Sequence, residues 1–348
     1  MNEKKVTIYD IAEALGISSG TVCRALNNKG RISAATKKRV LEKAEELGYT
    51  TNLAAQSLGR NPVYIGVLLC CPVEAYMNEI ERGIKAMFAE LLQFKVFPEI
   101  HKICDNAEGN EKEIEKVFKS FRELGCKGVA LFLCGDSGKY KDTVNELEEE
   151  GIPVAAIVTD IEGSKRSVFV ETDGAVSGML AAELLYQICD NRKIAILTGF
   201  KDTSAHKNNI DGFMTYAKNH EFETVDIFEH HDEKEKAIKL MKEIFKKDIY
   251  DGLYIASACS IYLQQSRRRF NIPKNLKIVT TDLFQENREL LGNETICATI
   301  FQDPYLQGKR AIELLYRIIN QKSEGEEFRV TPQLIFKSNR NIYLEKEE

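Results

Sequence analysis

At 348 residues, 43% apolar and 29% charged, the chain is too long for one small core and suits two or three globular domains. Its seven prolines and ordinary balance exclude a disordered or fibrous protein. No apolar run approaches the ~18 residues needed to cross a bilayer, so no membrane is expected as a partner. The net charge of −5 is unevenly spread: residues 1–60 hold ten Lys/Arg against six Asp/Glu, or +4, and the remaining 288 hold 38 against 47, or −9. A small basic module on an acidic body points to DNA phosphate contacts confined to the first sixty residues. The opening Met1-Asn2-Glu3-Lys4-Lys5 lacks the apolar core of a signal peptide, so a cytoplasmic protein is expected.

The first predicted element is a short helix over Val6–Leu15. Thr7 with Asp10 three residues on is a capping-box pattern, and Ile8, Ile11, Ala12 and Leu15 form one apolar stripe. Gly16 ends it, being able to take positive φ. Ser18 caps a second helix, Ser19–Ala25, with Val22 and Leu26 facing inward. A third runs from Ser33 through Val40, Leu41, Ala44 and Leu47 to a stop at Gly48. Two short helices joined by a Gly-x-Ser turn and braced by a third predict a helix-turn-helix. Arg24 projects from the second helix, with Lys29, Arg31, Lys37, Lys38 and Arg39 close behind.

Val6-Thr7-Ile8-Tyr9-Asp10-Ile11-Ala12, Ser18-x-x-Thr21-Val22-x-Arg24-x-Leu26-Asn27 and Ile32-Ser33-x-x-Thr36-x-x-x-Val40 together resemble the LacI family signature. The match continues through Leu47-Gly48-Tyr49-x-x-Asn52-x-x-Ala55-x-x-Leu58. The resemblance implies a second helix in the major groove, with Ser19, Gly20 and Arg24 at base-reading positions and Arg24 able to pair bidentately with guanine. It implies phosphate anchors at Thr7, Ser18, Thr21 and Asn27, which set register rather than sequence. Asn52 to Leu58, including Ala55, would form a hinge helix that orders on DNA, with Leu58 an apolar wedge in the minor groove. Two positions depart from the pattern: Gly20 offers no side chain, and Cys23 stands where a serine is common.

From Tyr64 onward, strand-sized apolar runs alternate with amphipathic helical stretches. Ile65–Cys70, Lys95–Ile100, Val129–Leu133, Val154–Val158, Ile194–Leu197, Leu253–Ala256 and Lys277–Thr280 read as strands, and Met77–Leu92 as a helix. The alternation predicts an α/β fold with parallel sheets, whose ligands sit beyond the carboxyl ends of the strands. Asp282 closes one such strand. Gln302 closes another, in Ala298-Thr299-Ile300-Phe301-Gln302-Asp303-Pro304. Taken alone, Asp282 reads as readily as a helix cap, and Gln302 as a loop residue.

The spacing from Asp282 through Gln302 and Pro304 to Gly308 resembles ribose-binding-protein-like sensors, over about residues 62–340. That resemblance implies a type 1 periplasmic-binding-protein fold of two doubly wound parallel-sheet lobes joined by three crossing strands. The implied division is 1–50 for the helix-turn-helix, 51–61 for the hinge, 62–340 for the sensor and 341–348 for the tail. The lobes are expected at about 62–160 plus 288–322, and 161–287 plus 323–340. In such sensors the matching Asp and Gln hold sugar hydroxyls, so a sugar effector is implied. A carboxylate that accepts vicinal hydroxyls and an amide that donates and accepts suit a polyol.

Family position adds Asp173 and Asn209 as effector contacts, Asn209 falling where sugar sensors usually place an arginine. Tyr76, Asn78 and Glu74 follow the first strand as candidates for the opposite wall. Asp160 and Ser257 are further candidates, and His206 and Lys207 could reach the pocket.

The nine cysteines show no Cys-x-x-Cys pair and no zinc-type Cys/His spacing, so they read as reduced, mostly buried small hydrophobes, and no metal or cofactor is expected. Gly-x-Ser-x-Gly, P-loop and Gly-x-Gly-x-x-Gly motifs are missing, which argues against an enzyme. The rival reading as a sugar transport receptor needs export and leaves the helix-turn-helix unexplained. The tail lacks leucine heptads, so a homodimer on a pseudo-palindromic operator is expected. The expected function is a repressor whose operator affinity is set by a small molecule. A corepressor-dependent regulator with a non-sugar ligand is the alternative.

Overall fold

The computed structural model describes residues 6–26, 32–47, 61–321 and 325–341, and the chain divides into an N-terminal unit ending at Asn61 and a larger unit from Pro62. The N-terminal unit holds α1 (Ile8–Leu15), α2 (Ser19–Leu26) and α3 (Ala34–Glu46). The capping box forms as the sequence predicts: the Thr7 backbone N–H donates to Asp10 Oδ2 at 2.7 Å, and the Asp10 N–H donates to Thr7 Oγ1. Gly16 takes φ +63° and closes α1. Ser18 and Ser33 accept from the N–H groups of Thr21 and Thr36 at the heads of the next two helices. Ile11, Ala12, Val22, Ala25, Val40 and Ala44 make the small core. Leu41 is not part of it, being 45% exposed, because the α3 stripe at Val40 and Ala44 already faces α1 and α2.

The larger unit carries two six-stranded sheets. The first has the order β11-β5-β4-β3-β1-β2, built from β1 (Val63–Cys70), β2 (Val96–Ile103), β3 (Gly128–Leu133), β4 (Val154–Ile157), β5 (Val168–Thr172) and β11 (Glu326–Val330). All five pairings in it are parallel. The second repeats the scheme as β12-β10-β9-β8-β6-β7, from β6 (Lys193–Thr198), β7 (Thr224–Glu229), β8 (Gly252–Ile255), β9 (Lys277–Thr281), β10 (Ala298–Phe301) and β12 (Gln333–Ile335). Only β12 there runs antiparallel. Central strands such as Gly128-Val-Ala-Leu-Phe-Leu133 are buried along their whole length, as helices on both faces require.

The lobe boundaries differ from those expected. β5 stays in the first lobe and β10 in the second, so the chain crosses after Thr172 and returns after Gln302, then crosses again between β11 and β12. A sequence pattern marks strands but not their long-range partners, and these partners decide which sheet a strand joins. The crossings are tied together: Thr172 Oγ1 donates to the Gln302 carbonyl at 2.8 Å, and the buried Gln307 amide donates to both Thr172 Oγ1 and that carbonyl. The Asp173 N–H donates to the Val330 carbonyl at 2.9 Å, joining the third crossing.

In each lobe one helix pair packs through glycines. In the first, α4 (Glu74–Leu91) meets α12 (Pro304–Gln321), and in the second, α7 (Gly174–Ile188) meets α8 (Ser204–Lys218). A Cβ on Gly83 would lie 1.9 Å from the Tyr305 carbonyl oxygen, and one on Gly308 would lie 2.2 Å from that of Ile80. Gly178 and Gly212 stand in the same relation to the carbonyls of Asn209 and Ala175, at 1.9 and 2.1 Å. These contacts fix α8, and with it the position of Asn209.

Candidate functional site

Two surfaces carry the chemistry. On the N-terminal unit, Val22 and Ala25 point into the core, which leaves Gly20, Cys23 and Arg24 on the exposed side of α2. The Arg24 Nε–H donates to the Gly20 carbonyl at 3.2 Å, so the exposed guanidinium lies back along its own helix. Thr7 is exposed at the head of α1, and Ser18 Oγ lies 2.8 Å from Thr21 Oγ1. Ser19 is half-buried. Asn27, Asn52, Ala55 and Leu58 lie outside the described residues.

The second surface is a cleft between the sheets. Its walls come from the carboxyl ends of strands: Cys71 after β1, Cys134 after β3, Val158 and Thr159 after β4, Asp232 after β7, Ala256 and Ser257 after β8, Asp282 after β9 and Gln302 after β10. Tyr76, Phe132, His206 and Asn209 also line it, with the small apolar side chains of Val73, Ala205 and Ala258, around a cavity of about 60 Å³. No lysine or arginine lines it among the described residues.

Asp282 is fully buried and takes φ +65°, which turns its side chain across the strand end. Its Oδ2 accepts from Gln302 Nε2 at 3.1 Å, while Oδ1 has no donor among the described residues. Burial pushes this carboxyl up from 3.8 to about 8, and the hydrogen bonds from Gln302 only partly offset it. A ligand hydroxyl donating to Oδ1 would relieve that cost. Asn209 Oδ1 accepts from the Tyr254 hydroxyl at 2.8 Å, which leaves its NH₂ to donate. Opposite, the Tyr76 ring packs edge-on against Phe284, with centroids 6.4 Å apart, and its hydroxyl lies 3.4 Å from Gln307 Nε2.

His206 and Asp232 form an ion pair in the cleft, with Nε2 3.6 Å from Oδ2. Burial opposes the charge on both, but each partner outweighs it, so the His206 pKa is raised and that of Asp232 lowered. His230 lies behind them, fully buried, and desolvation brings it down to about 4, a neutral ring.

Of the eight effector positions read from the sequence, Tyr76, Asn209, Ser257, Asp282 and Gln302 come together in this cleft. Three do not. Asp173 caps α7, accepting from the Val176 N–H at 3.1 Å. Asp160 is consumed by Arg166, whose Nη2–H donates to its Oδ2 at 2.8 Å. Asn78 accepts from Lys102 Nζ at 2.9 Å and lines an adjoining, larger cavity of about 660 Å³, which shares Asp282 with the cleft, together with Arg82, Arg288 and Tyr305. Glu74 and Lys207 are exposed and outside the cleft lining, whereas His206 lies within it. Asp232, Cys71 and Cys134 were missed. Cys71 and Cys134 carry the signal shared with Asp282, an apolar strand followed directly by a donor residue, whereas Asp232 stands three residues beyond the mixed strand β7 and carries no such signal.

Residues 7–52 match the family of bacterial regulatory proteins of lacI type, and residues 65–323 match the periplasmic binding protein domain family. The HTH-type transcriptional regulator pepR1 of Lactobacillus delbrueckii subsp. lactis is 23% identical over 346 residues, 98% of this chain and 99% of that protein. The ribose operon repressor of Bacillus subtilis is 26% identical over 325 residues, 92% of this chain and 94% of the relative. Among solved structures, the Lac repressor bound to ONPG in its repressed state superposes with a TM-score of 0.64 at 18% identity, covering 95% of this chain and 98% of that one.

Proposed function

This chain belongs to the LacI family of DNA-binding transcription regulators, and from that premise we propose that it is a repressor whose cleft takes an uncharged polyol, a sugar or close relative. The observation that carries the ligand class is Asp282: a buried carboxyl with one oxygen lacking a donor, beside an amide, in a cleft lined by no lysine or arginine among the described residues. Phosphates and carboxylates would meet Asp282 and Asp232 without a free cation to neutralise them. Hydroxyl groups would instead satisfy Oδ1. The ribose operon repressor is a relative named for a sugar regulon, which agrees with this chemistry.

The regulator acts in the cytoplasm as a homodimer on a pseudo-palindromic operator, with α2 of each protomer in the major groove. No described helix is long and apolar enough to cross a membrane. Ligand in the cleft shifts the equilibrium between lobe arrangements, and that shift is the coupling free energy passed to the operator. Arg24→Ala is expected to cost about 1–3 kcal/mol in operator binding while leaving binding to unrelated duplex almost unchanged. Equal losses on both duplexes in a gel-shift titration would remove Arg24 from base reading.

The ligand class is tested by a thermal-shift screen of the full chain against pentoses, hexoses, inositols, sugar acids and sugar phosphates. A ligand at 100 times its Kd adds roughly 2.7 kcal/mol, several degrees for a body of this size. A shift with a neutral polyol supports the reading. A shift confined to the anionic compounds overturns it.

A further inference from the structure

We propose that the effector is a neutral sugar of two units, a disaccharide or glycoside, whose second unit occupies the adjoining cavity of about 660 Å³ against Asn78, Arg288 and Tyr305. This second subsite rests on the polyol reading of Asp282. The cleft itself, at about 60 Å³, holds only a few water molecules, whereas cavities that enclose a small organic ligand run to roughly 300–1,000 Å³. The adjoining cavity falls inside that range. Asp282, whose Oδ1 lacks a donor among the described residues, lines both. Elsewhere the lobes touch directly: the Asn106 amide donates to the His231 carbonyl at 3.2 Å, and the Asp160 N–H donates to Ser204 Oγ at 2.9 Å.

The larger cavity is built from both lobes. Ala75, Asn78, Glu79 and Arg82 recur at helical spacing along one face of α4, and Tyr305 lies in the first turn of α12. From the second lobe, Phe284 leads into α11 (Gln285–Gly292), which supplies Arg288. Asn78 Oδ1 accepts from Lys102 Nζ, which leaves its NH₂ to donate. Arg288 Nε is buried without a hydrogen-bond partner among the described residues, a donor to match the acceptor at Asp282 Oδ1. Arg82 is already engaged: Nη2 donates to Glu79 Oε2 at 2.7 Å, and the guanidinium carbon lies 4.4 Å from the centroid of the Tyr305 ring. Phe284, Phe301 and Tyr305 add apolar surface for the C–H face of a sugar ring.

Charge sets the class of the second unit. The cavity is lined by the carboxyl groups of Glu79, Asp282, Glu286 and Asp303 against the guanidinium groups of Arg82 and Arg288. Even with Asp282 protonated, the acids outnumber the cations. A phosphate would meet that excess as repulsion, whereas hydroxyls can use donors and acceptors alike.

The test is calorimetric titration of the full chain with a panel of neutral disaccharides, their constituent monosaccharides and the corresponding sugar phosphates. At least one disaccharide should bind about tenfold or more tighter than either of its halves, the equivalent of one added hydrogen-bonded contact. Asn78→Ala, at an exposed position, should weaken that disaccharide about fivefold and leave the constituent monosaccharide within about twofold, and Arg288→Gln should do the same. Equal losses for both ligands would remove these residues from a second subsite and overturn it. A monosaccharide that binds as tightly as every disaccharide also overturns it, while the polyol reading stands. Preference for a sugar phosphate over all the disaccharides overturns the neutral second unit. Binding of no neutral sugar at all overturns the polyol reading and the second subsite together.

Discussion

Asp282→Asn should stabilise the ligand-free protein at pH 8 and at the same time cost it its ligand. The wild-type carboxyl has a folded pKa of about 8 against an ordinary 3.8, so the folded state holds its proton after the unfolded state has lost it. For a raised pKa the favourable contribution is complete below about pH 4 and drains away as pH climbs toward 8. The full difference corresponds to an upper bound on the order of 5 kcal/mol at and above pH 8. Asparagine has no charge to bury and escapes this loss. Urea midpoints of the two proteins should therefore nearly coincide near pH 4.5 and separate by several kcal/mol at pH 8. A gap that does not grow over that range would show that Asp282 is not a strained buried acid. The same substitution removes an acceptor from the ligand's hydroxyls, a loss of about 2–3 kcal/mol or roughly 100-fold in Kd.

Gly178→Ala should be among the most damaging single-methyl additions in the sensor. The new Cβ would sit 1.9 Å from the Asn209 carbonyl oxygen and 2.6 Å from the Phe213 nitrogen, both backbone atoms that cannot swing aside. α7 and α8 must separate, opening the packing around the buried Phe213. Overpacking of this kind costs about 1–3 kcal/mol, and the rigid backbone obstacle places the expected value at the upper end. Because Asn209 rides on α8, the displacement also carries a cleft residue away from Asp282, so ligand affinity should fall together with stability. Gly20→Ala is the contrasting case. That position has no neighbour closer than Ser18 Oγ at 3.9 Å, and helix propensity alone favours alanine there by about 1 kcal/mol. Similar stability changes in the two variants, followed by chemical denaturation, would mean that close helix approach is not what Gly178 serves.

Much of the architecture is written locally. The Thr7–Asp10 capping box, the αL glycine at position 16 and the Ile11/Ala12 stripe each specify their helix within a few residues, and the structure forms them as expected. The α/β alternation is equally local, because buried parallel strands read as short apolar runs. Asp282 and Gln302 could be picked out because each follows such a run directly. What the chain does not write locally is pairing. That β11 joins the first sheet, beside β5, depends on a partner more than a hundred residues away. Asp160 and Asp173 look like site acids in sequence, yet one is spent on Arg166 and the other on capping α7. Conversely, Cys71, Cys134 and Asp232 come to line one cleft only when the two sheets are assembled.

The most direct measurement is operator affinity with and without the neutral polyol that gives the largest thermal shift. The full chain would first select its operator from a random duplex pool, and anisotropy titrations would then give Kd in both conditions. A coupling of 1–3 kcal/mol predicts that polyol changes Kd by about 5- to 150-fold on a two-fold symmetric site, and that Asp282→Asn binds the same site without responding. Selection of no preferred duplex, or a Kd indifferent to every polyol that stabilises the protein, would contradict a ligand-responsive regulator.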